Sequence, residues 1–108
     1  MLGFSSSAFS QATINTDDLV GTWIAGNDKL FISKDENGSL QFFEIFTNTG
    51  DACVTLNISV KDNCMTVDTL FTPNGWTLSS DYVFITKDSL NCEYTGWSEG
   101  NVTYYRIK

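Results

Sequence analysis

The sequence predicts an all-β domain, an eight-stranded antiparallel up-and-down meander closed as a small β-barrel. Three observations point there: evenly spaced turn signals, β-favouring runs between them, and no segment with a sustained helical apolar period. From Leu19 onward the chain breaks at Ala25-Gly26-Asn27-Asp28, Glu36-Asn37-Gly38, Asn48-Thr49-Gly50-Asp51, Lys61-Asp62-Asn63, Pro73-Asn74-Gly75, Lys87-Asp88 and Glu99-Gly100-Asn101. That is a turn roughly every dozen residues, separating about eight strands. Asn-Gly and Glu-Gly pairs supply the positive φ that tight hairpins need. The runs between them are rich in Val, Ile, Thr, Phe, Tyr and Trp, which suit a pleated surface.

The elements follow in chain order. Residues 1–12 read MLGFSSSAFSQA, uncharged and too Ser-rich to cross a bilayer. The small residues before Ala12 look like the tail of a secretory signal peptide, cut near Ser10–Gln11 or Gln11–Ala12. The basic start of such a peptide is absent, which leaves a misplaced gene start or a disordered tail. The expected organisation is a signal-peptide remnant or tail over 1–12 and one barrel domain over 13–108. The expected location is outside the cell, or in the periplasm or cell envelope. Thr16-Asp17-Asp18-Leu19 then reads as one capped helical turn. Sequons at Asn37, Asn57 and Asn101 arise too readily by chance to carry weight.

Strand register is tested by asking whether apolar residues meet across each turn, because a one-residue slip turns them outward. A loop at Gly26-Asn27 sets Trp23 opposite Leu30 and Gly21 opposite Ile32. Two-residue loops at Asn37-Gly38 and Thr49-Gly50 set Ile32 against Phe43, Leu30 against Ile45, and Ile45 against Val54. Loops at Asp62-Asn63 and Asn74-Gly75 set Val60 against Met65, Ile58 against Val67 and Val54 against Phe71. They also set Phe71 against Leu78, Val67 against Tyr82 and Met65 against Phe84. This register leaves Thr55, Asn57, Ser59, Thr66 and Asp68 on a wet outer face, joined there by Phe42, Glu44 and Phe46. The sixth turn is open. A tight loop at Lys87-Asp88 points Asn91, Glu93, Thr95 and Trp97 inward, whereas a bulged turn points Leu90, Cys92 and Tyr94 inward. A sheet with one dry face and no covering helix solves its edge problem by closing into a barrel.

Composition bounds the function. In 108 residues, 42% are hydrophobic and 18% charged, enough for one domain with a real core. The absence of histidine removes Ser-His and Cys-His catalysis, histidine-ligated haem and most zinc sites. A net charge of −7 repels phosphate backbones and anionic lipid surfaces, so no nucleic-acid partner is expected. Asp17-Asp18 and Asp35-Glu36 lack the spacing of a calcium loop. Neither a cofactor nor a metal is expected. Cys53, Cys64 and Cys92 lie too far apart in this register to bridge one another, leaving free thiols or an intermolecular disulfide.

Gly21-x-Trp23 at the start of the first strand and Arg106 on the last resemble the signature of the lipocalins and the wider calycin superfamily. In that family the arginine packs over the tryptophan and closes one end of the barrel. A planar guanidinium lies well on an indole face. Full lipocalins are longer and usually end with a helix packed on the barrel, which no segment here matches, and Gly26-Asn27 leaves no room for the two helices of fatty-acid-binding proteins. The loop serine and most biotin contacts of avidin-like barrels find no match. The nearest resemblance is to short bacterial secreted lipocalin-like domains.

Alternate turns of a meander share an end. Trp23 and Arg106 would close the end carrying the turns near Asn37, Asp62 and Asp88. The open end carries the turns at Gly26, Gly50, Gly75 and Gly100. There the resemblance implies a binding site for a small hydrophobic ligand, with Trp76 and Trp97 at the mouth. Phe43, Leu56, Val67, Tyr82 and Tyr104 are expected to line the interior. A barrel this small can equally be filled by its own side chains. Glu93 is expected opposite Arg106, as a cross-strand pair or as an anchor for a ligand's polar head. With no carboxylate pair placed inside, an enzyme is not expected. The alternative to a binding protein is a packed barrel acting through its surface, as an interaction or envelope-associated module. In that reading Phe42 and Phe46 form a homo-oligomer contact.

Overall fold

In a computed structural model of the chain, the structure describes residues 14–107; the expected signal-peptide remnant over 1–12 lies outside them. A 3₁₀ turn at Thr16–Leu19 is followed by eight strands. These are β1 (Gly21–Ala25), β2 (Asp28–Lys34), β3 (Leu40–Phe46), β4 (Asp51–Lys61), β5 (Cys64–Phe71), β6 (Thr77–Thr86), β7 (Ser89–Gly96) and β8 (Gly100–Ile107). Each pairs antiparallel with the next, and β8 returns to β1 to close the barrel. No helix among the described residues is long and apolar enough to cross a membrane.

The 3₁₀ turn is capped as expected: Asn15 Oδ1 accepts from the Asp17 backbone N–H at 3.1 Å. Leu19 is buried beneath the barrel, and its carbonyl accepts from Trp23 Nε1 at 3.0 Å. The β1–β2 register is the expected one, with Trp23 opposite Leu30 and Gly21 opposite Ile32. So is the far half of β4–β5, with Val60 opposite Met65 and Ile58 opposite Val67.

The second hairpin differs, and the difference reaches the functional site. Its loop is Glu36-Asn37-Gly38, closed by Asp35 and Ser39, whose backbones bond at 2.9 Å. Gly38 takes φ +81°, the left-handed residue that completes a three-residue hairpin loop. The Asp35 carboxylate fastens the loop by accepting from the N–H groups of Asn37 and Ser39, each at 2.9 Å. One residue more than the expected loop turns β3 over. Ile32 therefore meets Phe42 and Leu30 meets Glu44, while Phe43 and Ile45 face out.

A bulge between Thr55 and Asn57 compensates in β4: Cys53 points inward above it, Ile58 and Val60 below it. Val54 accordingly meets Leu70 instead of Phe71. Ile45 meets Ala52 instead of Val54. The β5–β6 turn is longer than a two-residue loop, closing with Phe71 N–H on the Trp76 carbonyl at 2.8 Å. Met65 consequently pairs with Tyr82, and Val67 with Ser80, with the same faces still inward. The sixth turn is the bulged alternative: an irregularity between Phe84 and Thr86 buries Leu90 and Cys92. Glu93 meets Asn101, not Arg106.

The core is continuous from Trp23, Leu30 and Ile32 through Phe42, Met65, Val67, Tyr82, Phe84, Leu90, Cys92 and Tyr104. Aromatic contacts run across it, with Phe42 and Tyr82 centroids 5.7 Å apart and Tyr82 and Tyr104 5.9 Å apart. Phe42 is thus a core residue, not a surface one, and Phe46 turns inward to meet Phe71 edge-on at 5.6 Å. The expected oligomer contact through these two residues is overturned by the flipped register of β3.

Candidate functional site

The two ends of the barrel are built differently. At one end the Arg106 guanidinium lies 4.2 Å from the centre of the Trp23 ring. Its Nη1 donates to the Val20 carbonyl at 2.9 Å, and its Nη2 to the carbonyls of Asp18 at 2.6 Å and Lys87 at 2.9 Å. Its Nε donates to Asp88 Oδ1 at 3.1 Å. Gly21 makes room for this plug, because at φ +148° a Cβ there would stand 2.7 Å from Arg106 Nη1. Gly21, Trp23 and Arg106 therefore form the closing cluster that the sequence suggested. Arg106 takes Asp88 as its acidic partner in place of the expected Glu93.

The other end is open. A cavity of about 290 Å³ descends from it between the upper parts of β3, β4, β5 and β6. Its walls are Phe46, Phe71, Leu78, Trp76 and Trp97 together with the polar Asn48, Thr49 and Asp51, and its buried floor is Glu44, Cys53 and Thr69. Trp76 and Trp97, 52% and 54% exposed, stand with ring centroids 5.1 Å apart at the rim. The Asn74 side chain accepts from Trp76 N–H at 2.9 Å and holds that turn. Gly96, at φ +147°, lets β7 pass close to β6, where a Cβ would lie 2.6 Å from the Thr77 carbonyl.

Of the residues expected at the binding site, Trp76 and Trp97, expected at the mouth, border the cavity. Val67, Tyr82 and Tyr104 face inward but belong to the packed core beneath it. Phe43 and Leu56 do neither. Phe43 is 46% exposed because the three-residue loop turns β3 over, and Leu56 is 53% exposed because it sits at the β4 bulge. Phe43 instead packs on Phe31 on the outside, centroids 6.1 Å apart.

The same inversion of β3 brings Glu44 into the barrel, 7% exposed, where it hydrogen-bonds with Asp28 of β2 and the Cys53 thiol. Sequence reasoning placed Glu44 outside and found no interior carboxyl pair; the structure contains one. Burial, then the hydrogen bond and charge of Asp28, push the Glu44 carboxyl up to about 9, so it is protonated at neutral pH. Burial also raises Asp28. The buried Asp28 Oδ1 has no donor unless Glu44 carries the shared proton, while Asp28 Oδ2 accepts from the Tyr104 hydroxyl. Two carboxyls in contact hold one proton between them because both cannot ionise at close range. Tyr104 is held above its ordinary value, by burial first and then by the charges of Tyr82, Asp28 and Glu44, so it stays a donor.

The three cysteines are free in the structure. Burial, followed by the charges of Glu44 and Asp28, pushes the Cys53 thiol up to about 12. Burial does the same to Cys92. These are inert thiols, not activated nucleophiles.

No protein-family model and no curated protein matches the chain. Among solved structures, the crystal structure of Treponema pallidum Tp0751 (pallilysin) is similar to it, with a TM-score of 0.60. That match covers 94% of this chain and 89% of the other at 12% identity. At such identity the likeness is one of fold. The fold it supports is a lipocalin-like β-barrel, here closed from eight antiparallel strands.

Proposed function

We propose that this chain is an exported, non-enzymatic lipocalin-like protein that takes one small, mostly apolar molecule into the open end of its barrel. The observation that carries this reading is the division of the interior. Below Glu44 the barrel is filled by its own side chains, whereas above it an aromatic-walled space of about 290 Å³ remains. That volume lies at the lower end of ligand pockets, about 300–1,000 Å³, and the few polar groups on the floor suit orientation of a ligand. Two carboxyls sharing a proton also occur in aspartic proteases. There, however, an extended chain must cross between them, whereas here Glu44 borders the cavity and Asp28 does not. The run of small residues before Ala12 supports export.

Native mass spectrometry of the chain beginning at Ala12, after exposure to an extract of its source, tests the reading. The expected result is a retained small-molecule mass, lost when both Trp76 and Trp97 are replaced by alanine. A protein that emerges bare, with tryptophan emission unchanged by the extract, refutes it. A second reading, a barrel acting through its outer surface, is favoured by exposed Phe31, Phe43, Val54 and Leu56 on neighbouring strands. Sedimentation at rising concentration, with Phe43→Ser as the control, reports on that surface directly.

A further inference from the structure

Resting on the cavity reading, we propose that the ligand carries a cationic head, a primary or secondary ammonium on a compact apolar or aromatic body. The ammonium would be seated on Glu44, the member of the Glu44–Asp28 pair that lines the cavity, with the body beneath Trp76 and Trp97. The first reason is donor arithmetic. The pair has four carboxyl oxygens against three donors, the Tyr104 hydroxyl, the Cys53 thiol and one carboxyl proton, and Glu44 is the member that borders the cavity. The surplus is of acceptors, and an ammonium brings two or three donors and no acceptor. The second reason is charge. No Lys or Arg lines the cavity among the described residues, so an anionic head would be buried without a counter-charge. The third is the wall. Phe46, Phe71, Trp76 and Trp97 offer ring faces, which attract cations, and Asp51 adds a carboxylate to the lining. A chain of net charge −7 also draws cations toward itself.

Binding has a defined proton balance. The pair with its one proton carries one negative charge, which the ammonium neutralises, so the ammonium stays charged, the shared proton stays on the pair and no proton is released. The groups facing Glu44 are Asp28 on β2, Cys53 on β4, Tyr82 on β6, Cys92 on β7 and Tyr104 on β8, none of them a cation. Burial keeps both tyrosines and both cysteines protonated through neutral pH, which leaves the carboxyl pair as the charge among these groups. Affinity for the cation should therefore fall in acid, by up to about tenfold per unit, as the pair takes up its second proton.

Three probes with one phenyl body separate the possibilities: 2-phenylethylamine, 2-phenylethanol and 3-phenylpropionate, titrated by tryptophan fluorescence and by calorimetry in two buffers of different ionisation enthalpy. The amine should bind about 10–100-fold more tightly than the alcohol near pH 8, and the carboxylate more weakly than either. Neither the amine nor the alcohol should release a proton on binding near pH 8, and the amine's affinity should drop in acid while the alcohol's stays level. Glu44→Gln, checked for native circular dichroism, should bring the amine down to the level of the alcohol and leave the alcohol unchanged; Asp28→Asn is a second route to the same loss. If the alcohol equals the amine and neither depends on pH, the cationic head is wrong and the cavity reading stands. An amine preference that survives both substitutions overturns the carboxyl pair as its seat. If none of the three binds, both readings fall.

Discussion

Replacing Glu44 by glutamine should change how the stability of this barrel depends on pH, in a direction fixed by where the proton sits. In the unfolded chain Glu44 titrates at its ordinary value of 4.5, and in the folded barrel at about 9. Below the first value the carboxyl is neutral in both states and its contribution to stability is whole. Between the two the folded chain keeps a proton that the unfolded chain releases, so stability falls as pH rises and levels off beyond about 9. The ceiling on that slope is about 1.4 kcal/mol per pH unit, or about 4 kcal/mol across three units. That is a large share of the ~5–15 kcal/mol by which a domain is stable at all. Glutamine keeps the shape and a donor for Asp28 Oδ1 but cannot ionise. Urea melts at several values between about pH 5 and pH 8 should show the two chains similar in acid. The variant should become the more stable by about 2 kcal/mol or more near pH 8. Self-repulsion of the acidic surface also weakens the fold as pH rises, but it acts on both chains alike. Parallel profiles, or a variant weaker than the wild type at every pH, would refute a neutral buried Glu44.

Further outcomes follow from the same geometry. Arg106→Ala removes the contact with Trp23 and the four hydrogen bonds that the guanidinium gives to three carbonyls and to Asp88. Water replaces part of that loss, so a cost of about 2–4 kcal/mol is expected, read as a fall in Tm on the order of 10–20 °C. Gly21→Ala drives a Cβ into the same guanidinium, so its cost and that of Arg106→Ala should overlap in the double variant; strict additivity would argue against the shared plug. Phe42→Ala should cost about 3–5 kcal/mol as a core truncation, whereas Phe43→Ser should stay within about 1 kcal/mol in denaturant melts; the reverse order would restore the other register. Trp76→Ala and Trp97→Ala, each half exposed, should lower stability by about 1 kcal/mol or less while weakening any ligand the cavity holds, measured side by side on each variant.

What was legible in the sequence was whatever rested on turn residues and on one-sided alternation. The strand count and the two tryptophans at the open end came from such signals, whereas the closing trio of Gly21, Trp23 and Arg106 came from the resemblance to the lipocalin and calycin signature. The orientation of β3 did not. Phe42-Phe43-Glu44-Ile45-Phe46 is apolar on both faces, so hydrophobicity alone cannot choose between them. The choice falls to the loop, where Asn37-Gly38 fits a two-residue hairpin as well as the end of a three-residue one. The signal for the longer loop is Asp35, whose side chain caps Asn37 and Ser39. In β4 the spacing of Val54, Leu56, Ile58 and Val60 imitates one uninterrupted inward face, and it hid the bulge that puts the first two outside. Both misreadings concern the same corner of the barrel, which is why Glu44 was assigned to the surface and the cavity floor went unseen.

That corner is also where local rules and the fold disagree most, and the disagreement is informative. At the closed end every donor of the Arg106 guanidinium that bonds finds an acceptor, and Gly21 is shaped to the fit. A barrel selected only for stability would treat its other end alike and place a leucine at position 44, since apolar replacement of buried charged groups is often neutral or stabilising. Instead two carboxyls are buried side by side with one proton between them, beneath a space that the surrounding aromatics do not fill. Such a local conflict with foldability is expected, in a protein whose other levels agree, at a functional or strained site. On the proposed reading the open end is the functional end, and the negative charge of the singly protonated pair is the feature by which a cationic ligand would be recognised.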